Sequence, residues 1–372
     1  MEEPESGLKN MTIRSRFTVH YSRLFAAVLL LLIGGCSNLG YYVQSVAGQV
    51  DIWARQRDID NVVADASVPE ETRNRLEYAL KVREFAVREL RLPDNGSYLS
   101  YADLKRPYVA WNVFAAEEFS VKPVTWCFPF AGCVGYRGYF SRDEANRFAA
   151  GLREQGYDAH VGGIAAYSTL GWFADPLLST VMRYSRPRLA RLVFHELAHQ
   201  VVYAKEDTVF NESFAVAVET EGVKRWLERH GTEQDRLAYE RAAMRRAGFL
   251  RLVETTRDQL KALYRSGLQP EPMRARKAEI FEEMMRDYET LKASWNGFKG
   301  YDRWFSTGPN NAHMASVAIY TQMVPAFQAL LAREGGDLRR FYRAVKRLAQ
   351  LPRRERNVAL RAMAPRRTAS AK

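Results

Sequence analysis

The stretch His195-Glu196-Leu197-Ala198-His199, with Asn211-Glu212 following twelve residues further on, limits this chain more than any other feature. Histidines four apart on a helix are separated by about 400° of rotation, so they share a face. Leu192, Val193, Phe194, Leu197, Val201 and Val202 make the same helix largely apolar. Two imidazoles and a carboxylate on a buried helix are costly unless they are paired or bind an ion. The polar turn Tyr203 to Thr208 gives the chain a place to reverse. A second helix packed antiparallel after it returns Glu212 alongside His199. Glu212 and Glu219 are seven apart, about 700° of rotation, and fall within roughly 20° of one face.

The chemistry follows from the donor types. His195 and His199 can present two imidazoles to one metal ion. One of Glu212 and Glu219 can complete the ligand set while the other hydrogen-bonds a ligand imidazole. Glu196 lies about 100° round from His195, a poor position for a ligand but a good one for reaching a water. Zinc lowers the pKa of such a water towards about 7, and a neighbouring carboxylate can take its proton. H-E-x-x-H is this arrangement written in sequence. Two histidines and one glutamate leave a coordination position open, as catalytic zinc sites do, whereas structural sites are closed by four ligands. One Zn2+ per chain is expected. The plain alternative is two core histidines and a capping glutamate.

The N-terminus reads as an address. Arg14, Arg16 and Arg23 precede Leu24 to Gly35, twelve residues without a charge. That run is too short for a comfortable membrane span, which needs about 20 residues, and fits a secretory signal. It ends in Leu-Ile-Gly-Gly-Cys, Leu32 to Cys36, which resembles the bacterial lipobox. The resemblance implies cleavage before Cys36, lipidation of its thiol and attachment to a membrane through acyl chains. Ser37 stands where an inner-membrane retention signal usually places aspartate, so the expected address is the bacterial envelope, at the outer membrane facing the periplasm. Cys127 and Cys133 are the only other cysteines. Their spacing is wide for a zinc knuckle, Pro129 and Gly132 let the chain turn back, and an oxidising compartment favours a disulfide.

The net charge of +12 is spread along the chain with a concentration near the C-terminus. No zinc-finger, RNP or Walker pattern accompanies it, so it reads as adhesion to an anionic surface and not as nucleic-acid recognition. Helical spacing runs from Leu39 to Asp58 and from Pro69 to Leu90. Pro107 to Phe119 and Gly135 to Phe140 read as strands. Ser141 caps a helix that ends at Gly156. Tyr157 to Thr169 reads as one or two strands, and from Asn211 the chain is almost all helix-forming. The order predicts an α+β fold dominated by helices: a small mixed β-sheet, the two motif helices, then a helical C-terminal half. The organisation expected is a signal peptide over 1–35, one domain over 36–350 and a basic tail over 351–372.

His-Glu-Leu-Ala-His followed by Asn211-Glu212-Ser213-Phe214-Ala215 resembles the gluzincin metallopeptidases. That resemblance implies His195, His199 and Glu212 as ligands, Glu196 as general base and Glu219 as the supporting glutamate. The gap between His199 and Glu212 is shorter than in the best-known gluzincins, which implies a tighter connection between the helices. The lipobox, the segments around Cys127–Phe140 and Ala166–Leu178, and the two motifs together resemble a family of aminopeptidase lipoproteins of proteobacteria. Gluzincins take an oxyanion donor from their C-terminal helices, which points here to Tyr320 or His313, seven apart on one helical face; Tyr167 is the other contender. They also hold an extended peptide on an edge strand, which points to Ser168, Thr169, Leu170 and Gly171. The function implied is a lipid-anchored zinc peptidase acting on a peptide or protein, an aminopeptidase by family. No Gly-x-Met-Glu-Asn segment is present to hold a free α-ammonium. A non-enzymatic envelope lipoprotein with a structural zinc is the rival reading, and the sequence is silent on oligomeric state.

Overall fold

The computed structural model describes residues 40–128, 132–166, 168–169 and 171–363. Cys36, Tyr167 and Leu170 lie outside the described residues. The chain forms two compact units, Met1–Asp51 and Ile52–Lys372. Residues 40–54 are helical (α1). Then follow β1 (Gln56–Asp58), α2 (Ile59–Ala64), α3 (Glu70–Arg88), β2 (Ser100–Ala102), β3 (Ala110–Ala116), β4 (Trp126–Phe128), β5 (Gly132–Val134), β6 (Arg137–Tyr139), α4 (Arg142–Glu154), β7 (Asp158–Ile164) and β8 (Leu177–Leu178). Helices make up the rest: α5 (Arg186–His199), α6 (Thr208–His230), α7 (Glu233–Leu263), α8 (Pro270–Ser294), α9 (Asp302–Phe305), α10 (Asn311–Thr321), α11 (Val324–Arg333), α12 (Leu338–Gln350) and α13 (Arg353–Met363).

The architecture is α+β and helix-dominated. Among the described residues the strands form three small sheets in place of one. Their orders are β1-β2-β8, β6-β3-β7 and β4-β5, and the first is mixed because β2 and β8 run parallel. The expected helix from Leu39 to Asp58 stops at residue 54, and Gln56–Asp58 pairs with Ser100–Ala102 instead. That pairing is decided forty residues away, so local periodicity cannot register it. Cys127 and Cys133 face each other across the β4–β5 hairpin and are joined as a disulfide.

Ser141 caps α4 by accepting from the Glu144 amide, and Gly156 closes the helix at positive φ. The helix and the β6-β3-β7 sheet pack together, with Ala145, Ala149 and Leu152 buried. The main core joins α3, α5, α6, α11 and α12 through Phe85, Phe194, Phe210, Phe214, Phe327 and Phe341. At Gly222, on α6, an added Cβ would stand 2.7 Å from both Leu90 and Phe194. Glycine there lets α6 approach α5 closely. A second core, under α7 and α8, centres on Val253, Leu260, Met284 and Tyr288.

Among the described residues one helical stretch, Asn311–Arg333, is long and apolar enough to cross a membrane; half of that stretch is buried within the fold. The basic segment after Leu351 includes α13, whose Arg356 and Leu360 are buried. Arg356 reaches Asp207 with its Nε at 3.0 Å, and both groups are almost completely covered.

Candidate metal centre

The α5–α6 pair creates the centre. Pro187 lies in the first turn of α5, where it costs no hydrogen bond. Leu189, Ala190, Val193, Phe194, Leu197 and Ala198 bury one side of the helix. The connection to α6 is short and tightly tied. Asn211 accepts from the Ala204 amide at 2.7 Å and donates to its carbonyl at 2.9 Å. Asp207 caps α6 by accepting from the Phe210 amide. These bonds fix where α6 starts, and so fix the height at which Glu212 meets α5. Antiparallel packing then sets His199 against Glu212, and His195 between Glu212 and Glu219.

Three donor atoms converge. His195 Nε2 is 3.2 Å from Glu212 Oε2 and 3.2 Å from His199 Nε2, and His199 Nε2 is 3.6 Å from Glu212 Oε2. Ligands held at about 2.0–2.1 Å by a tetrahedral zinc lie about 3.3–3.4 Å from one another. The observed separations bracket that value, so the set fits a metal ion. Two imidazole Nε2 atoms this close repel unless a proton or a cation lies between them. His195, His199 and Glu212 are the group among the described residues whose donors are arranged to hold one.

The surrounding residues stabilise that arrangement. Glu219 Oε2 is 2.9 Å from His195 Nδ1, which directs the other ring nitrogen to the centre. Glu219 also accepts from Arg191 Nε at 2.6 Å. Burial works against a charge on His195, but hydrogen bonds that it donates to Glu212 and Glu219 outweigh it and lift its pKa to about 10. Burial likewise opposes ionisation of both glutamates. His199 and His195 nevertheless hold Glu212 at about 2, and Arg191 with His195 holds Glu219 at about 2. The cavity is thus organised to hold positive charge between two carboxylates.

Glu196 is different. It is buried, lines the cleft beside the centre and, among the described residues, has no hydrogen-bond or ion-pair partner. Burial raises its pKa, His195 and His199 oppose this, and Glu212 and Asp175 add to it. A carboxylate raised in this way accepts a proton more readily than an exposed one. Tyr320 lines the same cleft. Burial, then the charges of Glu212 and Glu196, push its hydroxyl far above the usual range, so it stays an O–H donor.

His313 does not join them. It lies two turns before Tyr320, about 10.5 Å along α10. Its Nδ1 is bound to Asn310 in a capping box, and its ring lies against that of His160, with centroids 3.8 Å apart and the planes tilted by 37°. A shared helical face does not bring both residues to the centre, because the two ends of α10 meet different neighbours. Ser168 and Thr169 bind Asp175 through a hydroxyl and an amide, and Gly171 sits in a turn at positive φ. The strand that lines the cleft is β7, through Gly162, Gly163 and Ile164. It is an edge of its sheet, paired on one side with β3.

The cleft has a volume of ≈ 450 Å³ and is walled by α5, α6, α7, α9, α10, β7 and Phe114 of β3. Sequence reasoning missed Arg191 and Arg246 in it. Arg191 stands four residues before His195, so its place on the same face was available from helical spacing. Arg246 comes from α7, and nothing local marks it.

A protein-family model described as "Putative aminopeptidase" matches residues 40–360. No curated protein and no solved structure matches the chain.

Proposed function

The chain belongs to that aminopeptidase family, and we propose that it is a zinc-dependent peptidase of the gluzincin kind, anchored by lipid at Cys36 in the bacterial envelope and facing the periplasm. One observation carries the catalytic part of this reading. The convergent nitrogens of His195 and His199 and the oxygen of Glu212 stand next to an unpartnered, raised carboxylate at the edge of a cleft. His195, His199 and Glu212 would hold the zinc. When bound, the ion supplies Lewis acidity, lowering the pKa of a water and polarising a carbonyl.

The remaining steps belong to the protein. Glu196 accepts a proton from the attacking water and delivers it to the departing amine, for which its raised pKa is suited. The Tyr320 hydroxyl donates to the oxygen that becomes negative at the tetrahedral stage. Glu219 fixes the orientation and tautomer of His195. Where it lines the cleft at Gly162 to Ile164, the edge of β7 offers backbone groups to an extended peptide. The lipid anchor rests on the Leu32-to-Cys36 motif alone.

The test is metal content on residues 37–372, unmodified and as Glu212→Ala, with both samples assayed against a mixed peptide library read by mass. We expect one equivalent of zinc and cleavage in the unmodified protein and loss of both in the variant. Cut positions report whether the chain acts at N-termini. Full zinc with no cleavage would favour the structural-zinc lipoprotein; no zinc in either sample would sink the reading.

A further inference from the structure

The cleft carries a charge pattern that the proposed chemistry does not use. Arg188, Arg191 and His195 follow one another along one face of α5, which sets the two arginines about 10 and 6 Å from His195 along the helix axis. Arg191 is committed to Glu219. Arg188 rests over the ring of Tyr184, 3.7 Å from its centroid. Arg246 enters the same cleft from α7, close enough to Arg191 for their charges to interact.

Among the described residues, neither Arg188 nor Arg246 has a carboxylate or hydrogen-bond partner. The acidic residues lining the cleft are Glu196 and Glu219, and Glu219 is already neutralised by Arg191 and His195. Arg246 is half-buried beside Tyr301 and Trp304. Glu219 acts on Arg246 only through its charge, and five donors on a guanidinium with no hydrogen-bond partner among the described residues are costly in such a wall until something accepts from them. This end of the cleft repels an ammonium group and attracts an anion. A planar guanidinium matches a carboxylate in a two-pronged contact.

We propose that Arg246, assisted by Arg188, forms a subsite for a carboxylate carried by the substrate, two to three residues from the bond that is cut. Arg246 interacts with the charge of Arg191, about 6 Å from His195 along α5, and Arg188 stands about 10 Å away; at roughly 3.3 Å per extended residue these heights correspond to two to three residues. The volume of ≈ 450 Å³ lies in the range of clefts that take small ligands, and so admits a short peptide segment. The carboxylate is either the C-terminus of a short peptide or the side chain of an aspartate or glutamate. The inference rests on the peptidase reading in taking a peptide as the carrier.

Two matched peptide pairs separate the sources. One pair is a tripeptide with a free or an amidated C-terminus. The other is a longer amidated peptide with glutamate or glutamine at its second and third positions. Binding is measured by calorimetry on full-length zinc-loaded protein carrying Glu196→Gln, which suppresses turnover, and kcat/KM on the unmodified enzyme. The carboxylate member of at least one pair should bind about 10-fold or more tightly. That ratio should collapse in Arg246→Met and recover in part in Arg246→Lys. Arg188 is exposed, so Arg188→Gln gives a second variant that folds regardless, and it should lower the same ratio. Preference in the first pair assigns the terminal carboxylate, and preference in the second assigns an acidic side chain. Equal binding within both pairs, or a preference that survives Arg246→Met, overturns the subsite. Cleavage without preference overturns only the subsite, whereas preference without cleavage supports it and overturns the peptidase reading.

Discussion

His195 has two ring nitrogens, and they do different work. Nε2 joins the donor cluster while Nδ1 binds Glu219. Glu219 is therefore a positioning residue, acting through an imidazole. Glu219→Gln removes the charge that orients His195 and leaves Arg191 without its counter-ion. Metal affinity should fall by about 10- to 100-fold, read by competition with a chelator. Unchanged affinity would reduce Glu219 to an ion-pair partner of Arg191. At this scale much was legible. Spacings of four and seven put His195, His199, Glu212 and Glu219 on facing surfaces from sequence alone. Arg246 was not legible, because its place depends on how α7 packs over α5.

Between elements, β7 and α10 meet through two histidines. The rings of His160 and His313 lie with centroids 3.8 Å apart, and burial pulls the pKa of His160 down to about 4 and that of His313 further. A histidine depressed in the folded state takes up its proton first in the unfolded chain. Its stabilising contribution is complete above about pH 6.5 and is lost as pH falls towards 4. Glu212 and Glu219, held at about 2, lose theirs only below about 4.5. The stability advantage of the unmodified protein over His160→Gln should thus shrink by on the order of 2 kcal/mol between pH 7 and 4.5. Urea midpoints at the two pH values check this, and a constant difference would mean that His160 is charged in the fold. The same contact shows why periodicity left Tyr320 and His313 as alternatives. Seven residues on one helix identify a face but not which neighbour covers each end.

Across the whole molecule, the end of the chain helps to form the start of α6. Arg356 on α13 pairs with Asp207, the residue that caps α6 just ahead of Glu212. Both side chains are at most 5% exposed. Arg356→Met leaves Asp207 buried without its partner, which should cost about 3–5 kcal/mol and lower the melting temperature. A loss below about 1 kcal/mol would indicate that Asp207 finds water or another donor. What the sequence by itself determined was local: the helix that carries two histidines, the cap at Ser141, the reversal at Tyr203–Thr208 and the turn that lets Cys127 meet Cys133. These follow from periodicity and turn chemistry within a few residues. Only the tertiary structure decided that β1 is a strand, that β7 borders the cleft, that Arg188 and Arg246 share it and that α13 braces α6. Each of these depends on contacts between residues far apart in the chain, where burial and charge pairing prevail over local preference.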